Sequence, residues 1–307
     1  MRFVATLAFV WVTNCFTQWV ATANDCRVAY GNVTDPEKYP YVVHMFLNNG
    51  THFDMCTGSL ISRSVVLTAG HCLKQPSNRS KYYWSHNVIL FKKMKGLKTT
   101  VHETILASDE VFIREDEGSA RHFLKHDFDE IGYSDIGLIV LKEPAPICTQ
   151  NKDRNYSIAR LPIANIYADK WKPLVKKLEE CTAIGYGETE RGIGDGILRE
   201  LRNVIIEERG NALFSPLKFK GRVCQGDSGG PVVCSMGHDK PYAVGIISYS
   251  DWGIQGQGYP KCYSDKESFE LDVFVDIRRV LPLIRQGLIE LNKLNEFIED
   301  NEKCFNI

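Results

Sequence analysis

The segment Cys224–Cys234 reads CQGDSGGPVVC, and it restricts the chain more than any other stretch. A serine between an aspartate and two glycines, in a run closed by cysteines, suits a nucleophile whose backbone must approach its substrate closely. Glycine reaches backbone conformations that side chains forbid. Gly226 therefore lets the amides of Gly226 and Ser228 converge on one point, where they could bind a developing oxyanion. Ser228 is the candidate nucleophile. The bland alternative is a glycine-rich turn between two strands, and the partner segments decide against it.

Composition adds outer limits. With 307 residues, 44% hydrophobic and 24% charged, the chain can build one large core or two small ones. A formal net charge of −1 supplies no field that would draw it to nucleic acid or to an anionic membrane, so neither partner is implied. At the start, Arg2 precedes an apolar run from Phe3 to Val12, and Ala21, Thr22 and Ala23 form a small-residue cleavage pattern before Asn24. Residues 1–23 read as a secretory signal peptide. The run is too short for a membrane anchor and is followed by Thr13, Asn14, Thr17 and Gln18. The expected location is extracellular.

Ten cysteines less Cys15, which leaves with that peptide, make nine: Cys26, Cys56, Cys72, Cys148, Cys181, Cys224, Cys234, Cys262 and Cys304. An oxidising compartment permits disulfides, and an odd count leaves one thiol free or paired with another chain. Four N-x-[ST] sequons, at Asn32, Asn49, Asn78 and Asn155, fit a glycosylating route.

Two further segments complete the pattern. CTGSLISRSVVLTAGHC, Cys56 to Cys72, places His71 after a β-branched run, and YSDIGLIVL, Tyr133 to Leu141, sends Asp135 into an apolar strand. With CQGDSGGPVVC these segments resemble the chymotrypsin and trypsin family of serine endopeptidases, whose nucleophile segment has the same GDSGGP core. Gly70 stands where many members carry alanine. The resemblance implies that Ser228 attacks a peptide carbonyl, His71 takes its proton, Asp135 holds the imidazole, and the amides of Gly226 and Ser228 bind the oxyanion. It requires no cofactor and no metal, and no HExxH pattern suggests one. Partners would be a protein or peptide substrate and proteinaceous inhibitors, with the chain a monomer. The implied fold is all-β, two six-stranded antiparallel β-barrels followed by a C-terminal α-helix. A peptidase domain over 28–307 would divide into a first barrel at about 28–150, a second at about 151–281, and a helix with extension over 282–307. Ile284, Leu288, Leu291, Leu294 and Phe297 repeat at helical spacing after Pro282, which suits a first helical turn.

The resemblance also implies an activation site. Cleavage after Arg27 would remove a propeptide, residues 24–27, and free Val28 to pair with Asp227. Relatives mostly have two glycines where this chain has Tyr30 and Gly31. Three bridges are implied, Cys56 with Cys72, Cys181 with Cys234, and Cys224 with Cys262. Of the remaining cysteines, Cys26 with Cys148 is preferred and Cys148 with Cys304 is the rival.

The primary specificity pocket departs from the pattern. Arg222 occupies the position of the trypsin-like aspartate, and LDVFVDI, Leu271 to Ile277, places Asp272 where a pocket glycine is usual. A salt bridge between Arg222 and Asp272 would make the pocket shallow, and Ser250 would narrow its mouth. VGIISYS, Val244 to Ser250, resembles the strand that pairs with substrate backbone, starting at Ser248.

Other stretches carry less. Phe91–Thr100 is basic and Asp109–Glu117 acidic, and both read as solvated loops. Gly187, Gly192, Gly194 and Gly196 do not make a phosphate loop, because no G-K-[ST] follows. From Gly187 to Cys224 there is no cysteine, so the family's intermediate helix and local disulfide are expected to be missing. A non-catalytic homologue that binds a partner through the same fold is the competing reading.

Overall fold

The computed structural model of the protein describes residues 31–48, 53–75, 78–82, 85–95, 98–115, 134–149, 156–174, 176–189, 194–210, 212–216, 221–237, 240–252 and 270–306. The expected signal peptide and propeptide, Arg27, Val28, Cys26, Cys262 and the sequons at Asn49 and Asn155 lie outside these residues.

β-Branched and aromatic runs form the strands. After β1 (Asn32–Val33), a single 3₁₀ turn (Pro36–Lys38) starts at Asp35, whose side chain accepts the amide of Glu37. The first half continues with β2 (Val42–Asn48), β3 (Phe53–Leu60), β4 (Val65–Thr68), β5 (Lys74–Gln75), β6 (Asn78–Tyr82), β7 (Ser85–Lys95), β8 (Lys98–Glu115) and β9 (Asp135–Leu141). Six of these close into an antiparallel barrel in the order β2-β3-β4-β9-β8-β7, while β5 and β6 pair separately. Closure removes the exposed edges that a sheet of this length would otherwise present. The described parts of the basic and acidic stretches, which read as loops, instead contribute to β7 and β8, where most residues find a ladder partner, such as Met94 opposite Thr99 and Val111 opposite Ile139.

The second half contributes β10 (Glu179–Gly185), β11 (Arg199–Arg202), β12 (Glu207–Arg209), β13 (Ala212–Pro216), β14 (Pro231–Ser235), β15 (Tyr242–Trp252) and β16 (Glu270–Asp276). Hydrogen bonding orders them β1-β11-β10-β14-β15-β16-β13-β12. No ladder joins β11 to β12, yet they are consecutive in the chain, with only residues 203–206 between them. Among the described residues this sheet is an open ladder with β1 and β12 at its edges. It stands where the second six-stranded barrel was expected, as an eight-stranded sheet, and with the first barrel it makes the two-barrel, mostly-β architecture of that fold class.

The C-terminal helix differs from the expectation. It is two helices, α1 (Ile277–Glu290) and α2 (Leu294–Phe305), and Pro282 lies inside α1, not at its start. Strand β16 passes directly into α1 at Asp276, whose carboxylate accepts the amide of Arg278 as an N-cap. Pro282 sits on the exposed side of α1. The break follows from Asn292, which adopts φ 54°, a left-handed conformation that asparagine tolerates better than most residues and that a helix cannot contain.

α1 leaves the second barrel but packs on the first: a Cβ at Gly287 would come within 2.6 Å of Phe112 and 2.7 Å of Leu138. That cover explains why β9 is buried at every position. α2 then docks beside the turn between β3 and β4. Glu296 accepts hydrogen bonds from Ser62 and Ser64, Asp300 accepts the amide and guanidinium of Arg63, and Phe297 packs against Trp171 at 5.1 Å between ring centroids. There Cys304 bridges Cys148, so the preferred pairing of Cys26 with Cys148 is incorrect. The physical reason is the second helix, which carries Cys304 back to the segment between the barrels. No helix among the described residues is long and apolar enough to cross a membrane.

Candidate active site

His71 lies on a short 3₁₀ turn, Gly70–Leu73, that follows β4. Asp135 opens β9, the neighbour of β4 in the barrel, so one ladder carries both residues to the same rim. The approach is close, since a Cβ at Gly70 would stand 3.0 Å from the carbonyl of Ile136 and 3.1 Å from Asp135 Oδ1.

The His71 amide donates to Asp135 Oδ1 at 2.8 Å, and His71 Nδ1 meets Oδ2 at 2.8 Å. A carboxylate accepts only, so Nδ1 carries the proton and Nε2 is left as the basic nitrogen. Ser248 Oγ donates to the same Oδ2 at 2.6 Å. Burial alone would raise the Asp135 carboxyl, but the facing His71 ring, with hydrogen bonds from that ring, Ser248 and the His71 amide, holds it below the usual range. Asp135 therefore stays ionised, while His71, with its side chain 37% exposed, faces solvent.

Ser228 sits in the turn before β14. Gly226 takes φ +92° and Gly229 φ +83°, and a Cβ at Gly229 would lie 1.9 Å from Thr68 Oγ1. Only glycine fits there, on both counts. Ser228 Oγ donates to the Ser248 carbonyl at 3.4 Å. Ser248 thus touches both ends of the arrangement, with its hydroxyl on Asp135 and its carbonyl on Ser228. Among the described residues, the amides of Gly226 and Ser228 have no backbone acceptor, whereas Asp227, Gly229 and Gly230 all have one.

The family model described as Trypsin matches residues 28–270. The chain belongs to the trypsin family. It is thereby placed among serine proteases of the chymotrypsin type.

In this trypsin-family chain, Asp227 is completely buried. Its Oδ1 accepts the Gly187 amide at 2.7 Å and its Oδ2 the Cys224 amide at 2.8 Å. Burial pushes the carboxyl up to about 7, more than those amides and the nearby Arg199 can offset. The glycines of CTAIGYG make room for it: a Cβ at Gly185 would lie 2.1 Å from Asp227 Oδ1, and one at Gly187 would lie 2.5 Å from Asp227 Cγ. Sequence reasoning weighed Gly187 only against a phosphate loop and missed this use, although paired glycines at the end of a buried strand were a signal for it.

Asp272 is also buried and directly opposite Ser250 in the β15–β16 ladder. Its Oδ1 accepts from Ser250 Oγ at 2.6 Å and its Oδ2 from the Val223 amide at 3.3 Å. Asp272 and Ser250, both expected from the sequence to line the specificity pocket, are therefore in contact beside Val223, the neighbour of Arg222.

Cys56 bridges Cys72 around His71, and Cys181 bridges Cys234 between β10 and β14. Cys224 is disulfide-bonded to a partner outside the described residues. Cys56, His71 and Cys72 lie close enough to suggest a metal site, but both sulfurs are committed to the bridge and are not thiolate ligands. Of the sequons, Asn32 is exposed on β1 and Asn78 begins β6.

Proposed function

We propose that the chain is a secreted serine endopeptidase, made as a zymogen and switched on by cleavage after Arg27. The observation that carries this reading is the double hydrogen bond between His71 and Asp135, with Ser248 joining that pair to Ser228.

Ser228 Oγ attacks the peptide carbonyl carbon while His71 Nε2 takes the hydroxyl proton. The carbonyl π pair moves onto oxygen, where the amides of Gly226 and Ser228 stabilise it. Collapse of that adduct breaks the C–N bond, and His71 returns the proton to the leaving amine. Water then repeats the sequence on the acyl-enzyme and releases Ser228. Asp135 remains ionised throughout and stabilises the imidazolium.

For specificity, the proposal is a shallow pocket closed by Asp272 with Ser250 and by pairing of Arg222 with Asp272, which favours small or medium residues before the scissile bond, with acidic ones accepted if Arg222 turns away. The remaining bridge is assigned to Cys224 and Cys262, and glycans to Asn32, Asn49, Asn78 and Asn155.

The test is hydrolysis of a fluorogenic peptide library by the secreted chain after cleavage at Arg27. Turnover that disappears in Ser228→Ala supports the reading. A cleaved, folded chain that hydrolyses neither the library nor denatured protein contradicts it and returns the family fold to a binding role.

A further inference from the structure

Thr57 lies on β3 of the first barrel and is fully buried, although none of the reacting groups is its neighbour in sequence. Each of its polar atoms is engaged. Its hydroxyl donates to the Gly226 carbonyl at 2.8 Å and accepts the Tyr186 amide at 3.0 Å. Its own amide donates to the Ser228 carbonyl at 2.8 Å, and its carbonyl accepts from Thr68 Oγ1 at 2.9 Å.

Three of those partners belong to the second barrel, and two are the residues whose amides face the oxyanion. We infer that Thr57 is a positioning residue for the oxyanion hole, its hydroxyl fixing the nucleophile loop from the opposite barrel; the inference rests on the endopeptidase reading above.

The geometry explains why the hydroxyl matters. The Gly226 amide belongs to the peptide plane before Gly226, and the Ser228 amide to the plane after Asp227. The two planes that carry the Gly226 and Ser228 carbonyls flank these on the C-terminal side, and Thr57 holds both carbonyls. Gly226, at φ +92°, has no side chain of its own to hold its backbone in place. A backbone amide of Thr57 would remain with any side chain, so the Ser228 carbonyl stays held. The hydroxyl holds the carbonyl end of the Gly226–Asp227 peptide plane, whose amide end donates to the Cys224 carbonyl at 3.0 Å, and the same oxygen ties that loop to Tyr186, next to the Gly187 amide that holds Asp227.

Loss of the hydroxyl leaves a buried carbonyl and a buried amide without their partner, and the loop can turn to satisfy them elsewhere. Such a turn moves the Gly226 amide away from the oxyanion. That amide interacts more strongly with a charged oxyanion than with a neutral carbonyl oxygen, so the loss falls mainly on the transition state.

The experiment compares Thr57→Val, which keeps the shape without the hydroxyl, with Thr57→Ser, which restores it. Two readouts are taken on the cleaved protein: kcat and KM on a peptide substrate, and affinities for a peptidyl trifluoromethyl ketone and for a non-covalent product peptide. The ketone forms a hemiketal with the serine and places an oxyanion in the hole; the product peptide used is the leaving-side fragment, whose new end is an amine and places no anion there. Thr57→Val should lower kcat by roughly ten- to a hundredfold, weaken the ketone to a similar extent, and leave KM and product affinity within about twofold. Thr57→Ser should recover most of both losses. Where Thr57→Val fails to fold, Thr57→Ala read the same way serves in its place.

A kcat and ketone affinity within about twofold of the parent in Thr57→Val overturns the inference, as do equal losses of ketone and product affinity, which mark a general structural role. Equal damage in Thr57→Ser does the same. A parent protein that neither turns over substrate nor binds the ketone overturns the endopeptidase reading instead, and the inference falls with it.

Discussion

The Gly187 amide and Asp227 Oδ1 meet at 2.7 Å inside the second barrel, where the carboxyl is sealed from solvent and raised to about 7. An unfolded aspartate ionises near 4, so between about 4 and 7 the unfolded chain releases a proton that the folded chain keeps. Stability of the uncleaved protein should fall as pH rises through that window, by up to about 4 kcal/mol. Asp227→Asn should flatten the slope, as read by denaturant melts from pH 4 to 8. After cleavage the proposed pairing with the Val28 amine reverses the sign, because a cation beside Asp227 lowers its pKa and raises that of the amine. Activity of the cleaved protein should then decline at alkaline pH, as the amine loses its proton.

Asp135 fixes the tautomer of His71, and Ser248 supports Asp135 from the other side. Asp135→Asn presents a donor where Nδ1 requires an acceptor, and kcat should fall roughly ten-thousandfold with KM little changed. Ser248→Ala removes one hydrogen bond to a buried carboxylate that keeps its others, so the loss should be smaller, about tenfold. Steady-state kinetics on one peptide substrate distinguishes the two.

The C-terminal helix α2 anchors the end of the chain to the first barrel. Cys148–Cys304 closes a loop with a sequence separation of 156, so its removal frees much of the unfolded chain. Cys304→Ser should lower stability by about 2–4 kcal/mol. Asp300→Ala should be destabilising by about 1–3 kcal/mol, because the Arg63 amide and guanidinium lose the acceptor that the buried Asp300 supplies. Chemical denaturation checks both, and cleavage kinetics should change little.

Asp272 accepts from Ser250 and from the Val223 amide at the proposed pocket floor. A peptide library should show cleavage after small or medium residues. Arg222→Ser combined with Asp272→Gly should open the pocket and admit larger side chains. Efficient cleavage after lysine, arginine or large aromatics by the parent protein contradicts the shallow pocket.

What could be read from the chain was local. His71, Asp135 and Ser228 each lie in a short segment with its own glycines and flanking strand, and the resemblance of those three segments to the chymotrypsin and trypsin family marked them as one constellation. Thr57 was hidden for the opposite reason: its hydroxyl acts across the barrels, on Gly226 and Tyr186, and nothing beside it in sequence marks that contact. The start of α1 at Asp276 was concealed because β16 runs into it without a loop, and Pro282 drew the expected start too far along. The partner of Cys304 depended on the turn at Asn292, a single left-handed residue that reverses the direction of the chain. Periodicity continued across that turn and could not show it.

The most direct test of the account is active-site labelling. The secreted chain, cleaved at Arg27, is treated with a fluorophosphonate and digested for peptide mass spectrometry. The account predicts one modified residue, Ser228, with labelling lost in Ser228→Ala and strongly slowed in His71→Ala. A correctly cleaved and folded chain that leaves Ser228 unmodified would contradict it.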